Sequence, residues 1–322
     1  LIGSDGMKTR ASSAHGSTAK FMLPRVVYEI EPGFVVGARL DARSRQLRRL
    51  AVRELPPHTV EPFAHRANVE NADDLRVALR GVAQVVGDGN TSRGLLIPDG
   101  AVRVAVLDFE TLPENRKEAE ALIRWRMREN LPSEPDEARI SYQVLRKEPR
   151  HVELLVVAIR TSVLADYEQI LEPMNGGLSL VLPATLALLP LIPAGSGAGE
   201  LLLHICGGWM TTVVLHENRV KMWRCSDGRV ISPGELARSA AVEVARVSES
   251  ARDHLQVETD KVWIIQRPMV TAGLEEEMSR TLSKDVVRLT PLSSTAGALA
   301  ESERPVFENF GGTLAGLISN LS

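Results

Sequence analysis

Several things that would narrow the chemistry of this chain at once are scarce or missing. Aromatic residues make up 4% of its 322 residues. Basic residues cluster at Arg43, Arg45, Arg48, Arg49 and Arg53, but no aromatic side chains are interleaved with them. The stacking platform of a nucleic-acid surface is therefore not written here, and no nucleic-acid partner is expected. The formal net charge of −3 gives no global attraction to polyanions or anionic lipid. The two cysteines, Cys206 and Cys225, have no zinc-type or redox-motif spacing, and both read as buried thiols in a reducing compartment. No metal site is expected. His151, His204, His216 and His254 lack a Ser, Cys or Asp partner at a recognisable catalytic motif, and no catalytic residue is assigned. Neither a G-x-x-x-x-G-K-S/T loop nor a G-x-S-x-G elbow occurs.

Long apolar runs are missing too. The longest, from Leu178 to Pro193, is broken by Pro183, Thr185 and Pro190, short of the ~18 uncharged residues of a membrane span. It reads as a buried strand running into a helix. Residues 1–24, rich in Ser, Ala, Gly and basic groups, read as a disordered tail with Met7 a candidate native start.

What is present is an ordinary globular composition, 44% hydrophobic and 25% charged, long enough for about two domains. Alternating patterns predict strands at 26–30, 34–40 and 46–55, separated by turns at Pro32-Gly33 and Asp41 to Ser44. From Asn71 to Val86, apolar residues at helical spacing follow the acidic pair Asp73-Asp74, predicting an amphipathic helix. Strands at 93–97 and 102–108, a charged helix near 114–130 ended by Pro132, a hairpin at 138–146 and 151–160, and a helix at 162–172 follow.

At Glu200 the order starts again. Strands at 201–205, 210–215 and 219–224, the last two joined at Glu217-Asn218, precede a long helix at 233–255, a strand at 261–266, a helix at 272–282 and a strand at 285–289. The first turn of that last helix carries Glu275, Glu276 and Glu277. They read, like Asp73 and Asp74, as groups favoured by the N-terminal dipole and not as paired catalytic acids. A three-strand meander followed by helix and strand thus occurs twice, at an offset of roughly 175 residues, far beyond solenoid periods. Each copy needs its own mixed sheet with helices on its faces, which makes an α/β protein of two like domains. Finally, Phe307, Phe310, Leu314, Leu317, Ile318 and Leu321 recur at helical spacing with no Lys or Arg after Arg304. Surface-seeking helices carry a cationic face, so this segment is expected to pack back onto the first domain.

The run Gly94-Leu95-Leu96-Ile97-Pro98-Asp99, the run Ile123-Arg124-Trp125-Arg126-Met127-Arg128-Glu129-Asn130-Leu131-Pro132, the pair Asp136-Glu137 and the run Ser141-Tyr142-Gln143-Val144-Leu145 resemble the inserted subdomain of the PilM family of pilus assembly proteins. The resemblance extends from Val26 to Leu317. It implies an actin-like (ribonuclease H-like) two-domain fold with an inserted α+β subdomain. The boundaries it implies are 1–24 as a tail, 25–195 as domain I with the insert at about 92–160, 196–295 as domain II, and 296–322 as a terminal helix on domain I.

The positions that hold ATP in that family are altered here. Where the family writes Asp-Ile-Gly and then a Lys, this chain has Glu29-Ile30-Glu31 and Val36. Where the second Asp-Ile-Gly falls, it has His204-Ile205-Cys206 before Gly207 and Gly208. The Gly-Gly-Gly of the adenosine side becomes Gln266-Arg267-Pro268, with two side chains expected in the space of the base. Glu31 beside a polyphosphate costs on the order of 4 kcal/mol at intermediate dielectric. No bound cofactor is expected, with at most weak Mg-ATP binding.

By resemblance the chain is a cytoplasmic pseudo-ATPase scaffold at the inner membrane. It docks the N-terminal peptide of a single-span PilN-like protein, with the assembly ATPase of the same machine as a further candidate partner, and meets the membrane only through such partners. Leu95, Ile97, Arg124, Trp125, Arg128 and Leu131 are the expected peptide contacts, although Trp125 is also read as entering the subdomain core. The alternatives are a GspL-like scaffold of type II secretion, an active actin-like ATPase, and a membrane-tethered filament protein of the FtsA kind.

Overall fold

The computed structural model describes residues 24–319 except 42, 88, 90, 132–133, 173–176, 196–197, 229–232 and 269–270. Residues 1–23 of the expected tail, Pro132 and Leu321 fall outside the described residues, whereas Pro24 is described and buried.

The first meander is β1 (Val26–Glu31), β2 (Phe34–Asp41) and β3 (Gln46–Glu54), followed by helix α1 (Ala72–Val86) and strand β4 (Arg93–Ile97). The Asn71 side chain accepts a hydrogen bond from the Asp74 N–H, which fixes the start of α1. Then come β5 (Arg103–Phe109), α2 (Arg116–Met127), β6 (Ala138–Glu148) and β7 (His151–Arg160). Helix α3 (Thr161–Leu171) leads back to β8 (Leu178–Pro183) and the short α4 (Ala184–Leu188). The second meander is β9 (Gly199–Cys206), β10 (Trp209–His216) and β11 (Arg219–Asp227), followed by α5 (Pro233–Leu255), β12 (Thr259–Arg267), α6 (Leu274–Leu282) and β13 (Asp285–Arg288). Glu217 and Asn218 both have positive φ, 52° and 60°, as the two-residue turn between twisted strands requires. The chain closes with α7 (Arg304–Phe310) and α8 (Gly312–Ser319).

Two five-stranded sheets share one topology, β3-β2-β1-β4-β8 and β11-β10-β9-β12-β13. In both, the meander is antiparallel and the following strands add in parallel. One face of the first sheet packs on α1 and α3 through Tyr28, Ile30, Leu79 and Tyr167. One face of the second packs on α5 and α6 through Leu203, Val244 and Met278. The other two faces meet each other, with Val27, Val36, Leu202 and Ile265 in one shared core that also takes Leu188, Leu314 and Ile318. Period-two alternation therefore assigns each central strand a helix-covered face and an interdomain face.

Two expectations need correction. Strand β4 pairs with β1 and β8 inside the main sheet, so the inserted subdomain is the sheet β5-β7-β6 with α2 and begins near residue 103, not 92. Leu95, Leu96 and Ile97 are all fully buried, as a central parallel strand covered on both faces must be. The terminal helical spacing is also divided in two at Gly311, where a Cβ would stand 2.3 Å from the Phe307 ring. Helix α7 lies along β3, where Glu303 accepts from the Leu50 N–H at 3.0 Å, and α8 packs against α4.

Candidate functional site

Two clefts open between the domains. The first lies where the C-terminal ends of β1, β4, β9 and β12 converge, the place where open parallel sheets bind ligands. Along the interdomain face each strand turns from apolar to polar there: Val27 gives way to Glu29 and Glu31, Leu202 to His204, Ile265 to Arg267, with Cys206 at the end of β9 beside them. Asp99 follows the end of β4, and Thr185 lies in the first turn of α4 after β8.

These groups close on one another around Arg267. Its Nη1 donates to Glu29 Oε1 at 2.6 Å and to Thr313 Oγ1 at 3.3 Å, and its Nη2 lies 3.5 Å from Glu31 Oε1. Its Nε donates to His204 Nε2 at 3.1 Å. An accepting Nε2 makes His204 the neutral tautomer that carries its proton on Nδ1. That nitrogen faces the Thr185 hydroxyl at 2.6 Å and Asp99 Oδ2 at 3.4 Å. Asp99 also accepts from the Thr185 hydroxyl, from the Thr185 N–H at 3.1 Å and from Thr211 at 2.9 Å. Thr313 of α8 donates to Glu29 Oε2 at 2.7 Å. None of these side chains is more than 6% exposed.

Electrostatics follow from that burial. Loss of solvent pushes the Glu31 carboxyl well above its ordinary range; Arg267 opposes the shift, and Glu29 and Asp99 add to it. Burial, and then Arg267, lower His204 and keep it neutral. Burial acts to raise Asp99, but hydrogen bonds from His204 and Thr185 outweigh it and leave the carboxyl below its usual value. Burial pushes the Cys206 thiol well up. Both cysteines are free, Cys206 buried and Cys225 half-buried.

At the mouth of this cleft, Gly207 and Gly208 turn with φ of 56° and 83°. A Cβ on Gly207 would stand 2.7 Å from Pro32, so the turn ending β9 rests on the turn ending β1. Trp209 closes the flank against Phe63 in an edge contact at 5.5 Å.

A nucleotide with magnesium needs hard oxygen ligands open to the metal and backbone N–H groups open to phosphate. Glu29 and Glu31 instead face a guanidinium, and the second glycine turn abuts Pro32, so the residues present do not fit that group. Val36, opposite Glu29 across the β1–β2 pair, stands on the same face with no charge to offer. The cation of this cleft comes from the other domain. The expectation that Gln266 and Arg267 together fill one space is corrected as well. Arg267 turns into the carboxylates, whereas Gln266 lines a cavity of about 530 Å³ between α6 and α7, and Pro268 is exposed. Among the described residues, no group of three or more His, Cys, Asp or Glu is arranged to hold a metal ion.

Sequence reading identified Glu29, Glu31, His204 and Arg267 but not Asp99, Thr185, Thr211 and Thr313, and it gave His204 no acidic partner. The usable signal was a polar residue in the last residues of, or just past, the C-terminal end of each buried strand. Nothing in the sequence says that these ends meet.

The second cleft is a groove of about 350 Å³ between domain I, the inserted subdomain and domain II. Leu145 and Leu155 of the insert, Leu180 and Leu182 of β8, Leu186 of α4, and Leu215 and Val220 of domain II form its apolar wall, with Leu317 of α8. Glu200, Glu217 and Arg219 stand on its rim. Both β8 and β6 are edge strands of their sheets.

The expected peptide contacts fall elsewhere. Leu95 and Ile97 are buried in domain I and cannot meet a partner. In α2 the buried positions are Ala119, Ile123 and Met127, four apart, which turns Trp125 to the solvent side. Trp125 is 59% exposed and does not enter the core. It lies in a shallow depression with Lys117, Arg124 and Arg128, where the Arg128 guanidinium sits 5.6 Å from its ring. Arg124 donates to the Ala138 carbonyl at 2.8 Å. Leu131 packs half-buried against the subdomain core.

No protein-family model matches the chain, and no curated relative matches it. Among solved structures it is similar to one described as a PilM-PilN type IV pilus biogenesis complex, with a TM-score of 0.76 at 17% identity over 93% of this chain and 98% of that one. Weaker likenesses include the cytoplasmic domain of EpsL, an inner-membrane component of the Vibrio cholerae type II secretion system, with a TM-score of 0.46 at 10% identity over 80% of this chain and 93% of that one. A Bacteroides thetaiotaomicron protein with an actin-like ATPase fold gives 0.49 at 7% identity over 92% and 95%. The chain has an actin-like fold with the architecture of the pilus structure. No helix among the described residues is long and apolar enough to cross a membrane.

Proposed function

We propose that this chain is a PilM-like scaffold of a type IV pilus inner-membrane assembly platform, acting on the cytoplasmic side. In this reading it docks a short, largely extended N-terminal segment of a PilN-like single-span protein and does not turn over ATP. The observation that carries the reading is the leucine groove. An extended apolar segment gains affinity when its alternate side chains fill apolar pockets, and the groove lined by Leu180 and Leu182 of β8 offers them. The likeness to a PilM-PilN complex supports the identity of the occupant. The arginine-filled cleft supports the absence of turnover, because docking needs shape and no reacting group.

Ordering a flexible segment costs roughly 2–5 kcal/mol of the gross contact energy, which sets the expected affinity in the micromolar range. The test is titration of the cytoplasmic N-terminal peptide of a PilN-like single-span membrane protein from the same organism, with Mg-ATP titrated separately. Peptide binding that is lost on Leu182→Asp supports the reading. Failure of the peptide to bind overturns the docking, and Mg-ATP binding at low micromolar or tighter, about −7 to −8 kcal/mol, overturns the pseudo-ATPase part.

A further inference from the structure

The two clefts share their walls. Helix α4 carries Thr185, which holds Asp99 and faces His204, and next to it Leu186, which lines the groove. Helix α8 carries Thr313, which donates to Glu29, and one turn further Leu317, which lines the groove. Residues four apart stand on one helix face, so a displacement of α8 moves both contacts together.

The two helices cannot slide past each other freely. A Cβ on Gly316 would stand 1.9 Å from the Ala187 carbonyl oxygen, and one on Gly312 would stand 2.7 Å from Ile265 of domain II. Backbone thus lies against backbone between α4 and α8, while α8 also touches the strand that ends in Arg267. The groove itself has Leu180 on domain I and Leu215 on domain II, so its occupant touches both domains at once.

Resting on the docking reading above, we propose that α4 and α8 couple the groove to the arginine-filled cleft, so that a docked segment and the closed pairing of the domains stabilise each other. Any opening of the domains about the cleft moves Thr313 and Thr185 and parts Leu180 from Leu215. A ligand that binds only the closed arrangement shifts the equilibrium by its differential affinity, and the effect is reciprocal.

Cys206 reports opening, because its thiol is 4% exposed at the centre of the cleft. In a Cys225→Ser background, alkylation of Cys206 is followed by mass spectrometry with and without the same N-terminal peptide, whose affinity is measured in parallel by fluorescence anisotropy. Saturating peptide is expected to slow alkylation at least about fivefold, and Thr313→Val, which removes the hydroxyl and keeps the shape, to weaken peptide binding by about the same factor. Val163→Ala, in the α3 core away from both clefts, controls for loss of stability and retains wild-type affinity. If the peptide fails to bind the unsubstituted protein, the docking reading falls and the coupling with it. If it binds but Cys206 alkylation is unchanged, or Thr313→Val binds no worse than Val163→Ala, the coupling alone is overturned.

Discussion

The polar cleft and the leucine groove open between the same two sheets and share α4 and α8, yet they are finished in opposite ways. In the cleft every charged group meets a partner from the other side: Arg267 of domain II enters domain I at 2.6 Å from Glu29, and His204 is held between Arg267 and Asp99. In the groove the walls are leucine from three parts of the chain, and the charges are confined to the rim. A buried charge cluster is stable only when fully paired, and in the first cleft each of these charges finds its partner within the protein. An apolar groove gains from being covered. The contrast supports the proposed docking on the side away from the arginine-filled cleft.

The largest effect should come from breaking the filled cleft. Arg267→Ala leaves Glu29 and Glu31 buried without their cation and should cost about 3–5 kcal/mol in denaturant unfolding. Adding Glu29→Gln and Glu31→Gln should recover part of that loss. If the single variant is as stable as the parent, the arginine does not hold the domains together. Next in size, Leu145→Asp or Leu182→Asp should weaken peptide binding at least tenfold, about 1.4 kcal/mol or more, by placing a charge on the apolar wall. Unaltered anisotropy titrations would move the docking surface elsewhere.

The cleft also predicts a pH dependence. Glu31 has a folded-state pKa raised above its ordinary 4.5 by burial, so the folded protein binds the proton more tightly than the unfolded chain. Its contribution is fully present below about 4.5 and is lost as pH rises through the folded value. Glu31→Gln should therefore flatten the decline of Tm towards alkaline pH, gaining on the parent as pH rises; parallel Tm curves would refute this. The smallest effect belongs to Trp125→Ala. At 59% exposure and on the far side of the insert from the groove, it should change stability by no more than about 0.5 kcal/mol and leave peptide capture unchanged. A large loss of capture would restore the α2 surface as the docking face.

Much of the fold is legible in the sequence because sheet and helix faces are local patterns. Tyr28 and Ile30 alternate with Glu29 and Glu31 along β1, and Leu75, Leu79 and Val82 recur along α1. The same order of elements read twice matches the two sheets of like topology. The start of the insert was misplaced because β4, apolar at every position, reads the same in a subdomain core as between two main strands. Trp125 was misread because an aromatic residue on an amphipathic helix suggests core until the register of Ala119, Ile123 and Met127 is fixed.

By itself, the sequence determined the repeated α/β architecture, through periods of two and 3.6 that need only neighbouring residues. It also determined which residues, Glu31, Val36, Cys206 and Gln266-Arg267-Pro268, stand at the positions where the resemblance implies glycine and lysine. Only the tertiary structure decided what those replacements do. The partner of Arg267 lies 238 residues away at Glu29, and Thr313 reaches Glu29 across 284. No local pattern encodes such a meeting, because it depends on how two separately folded sheets lay their strand ends together.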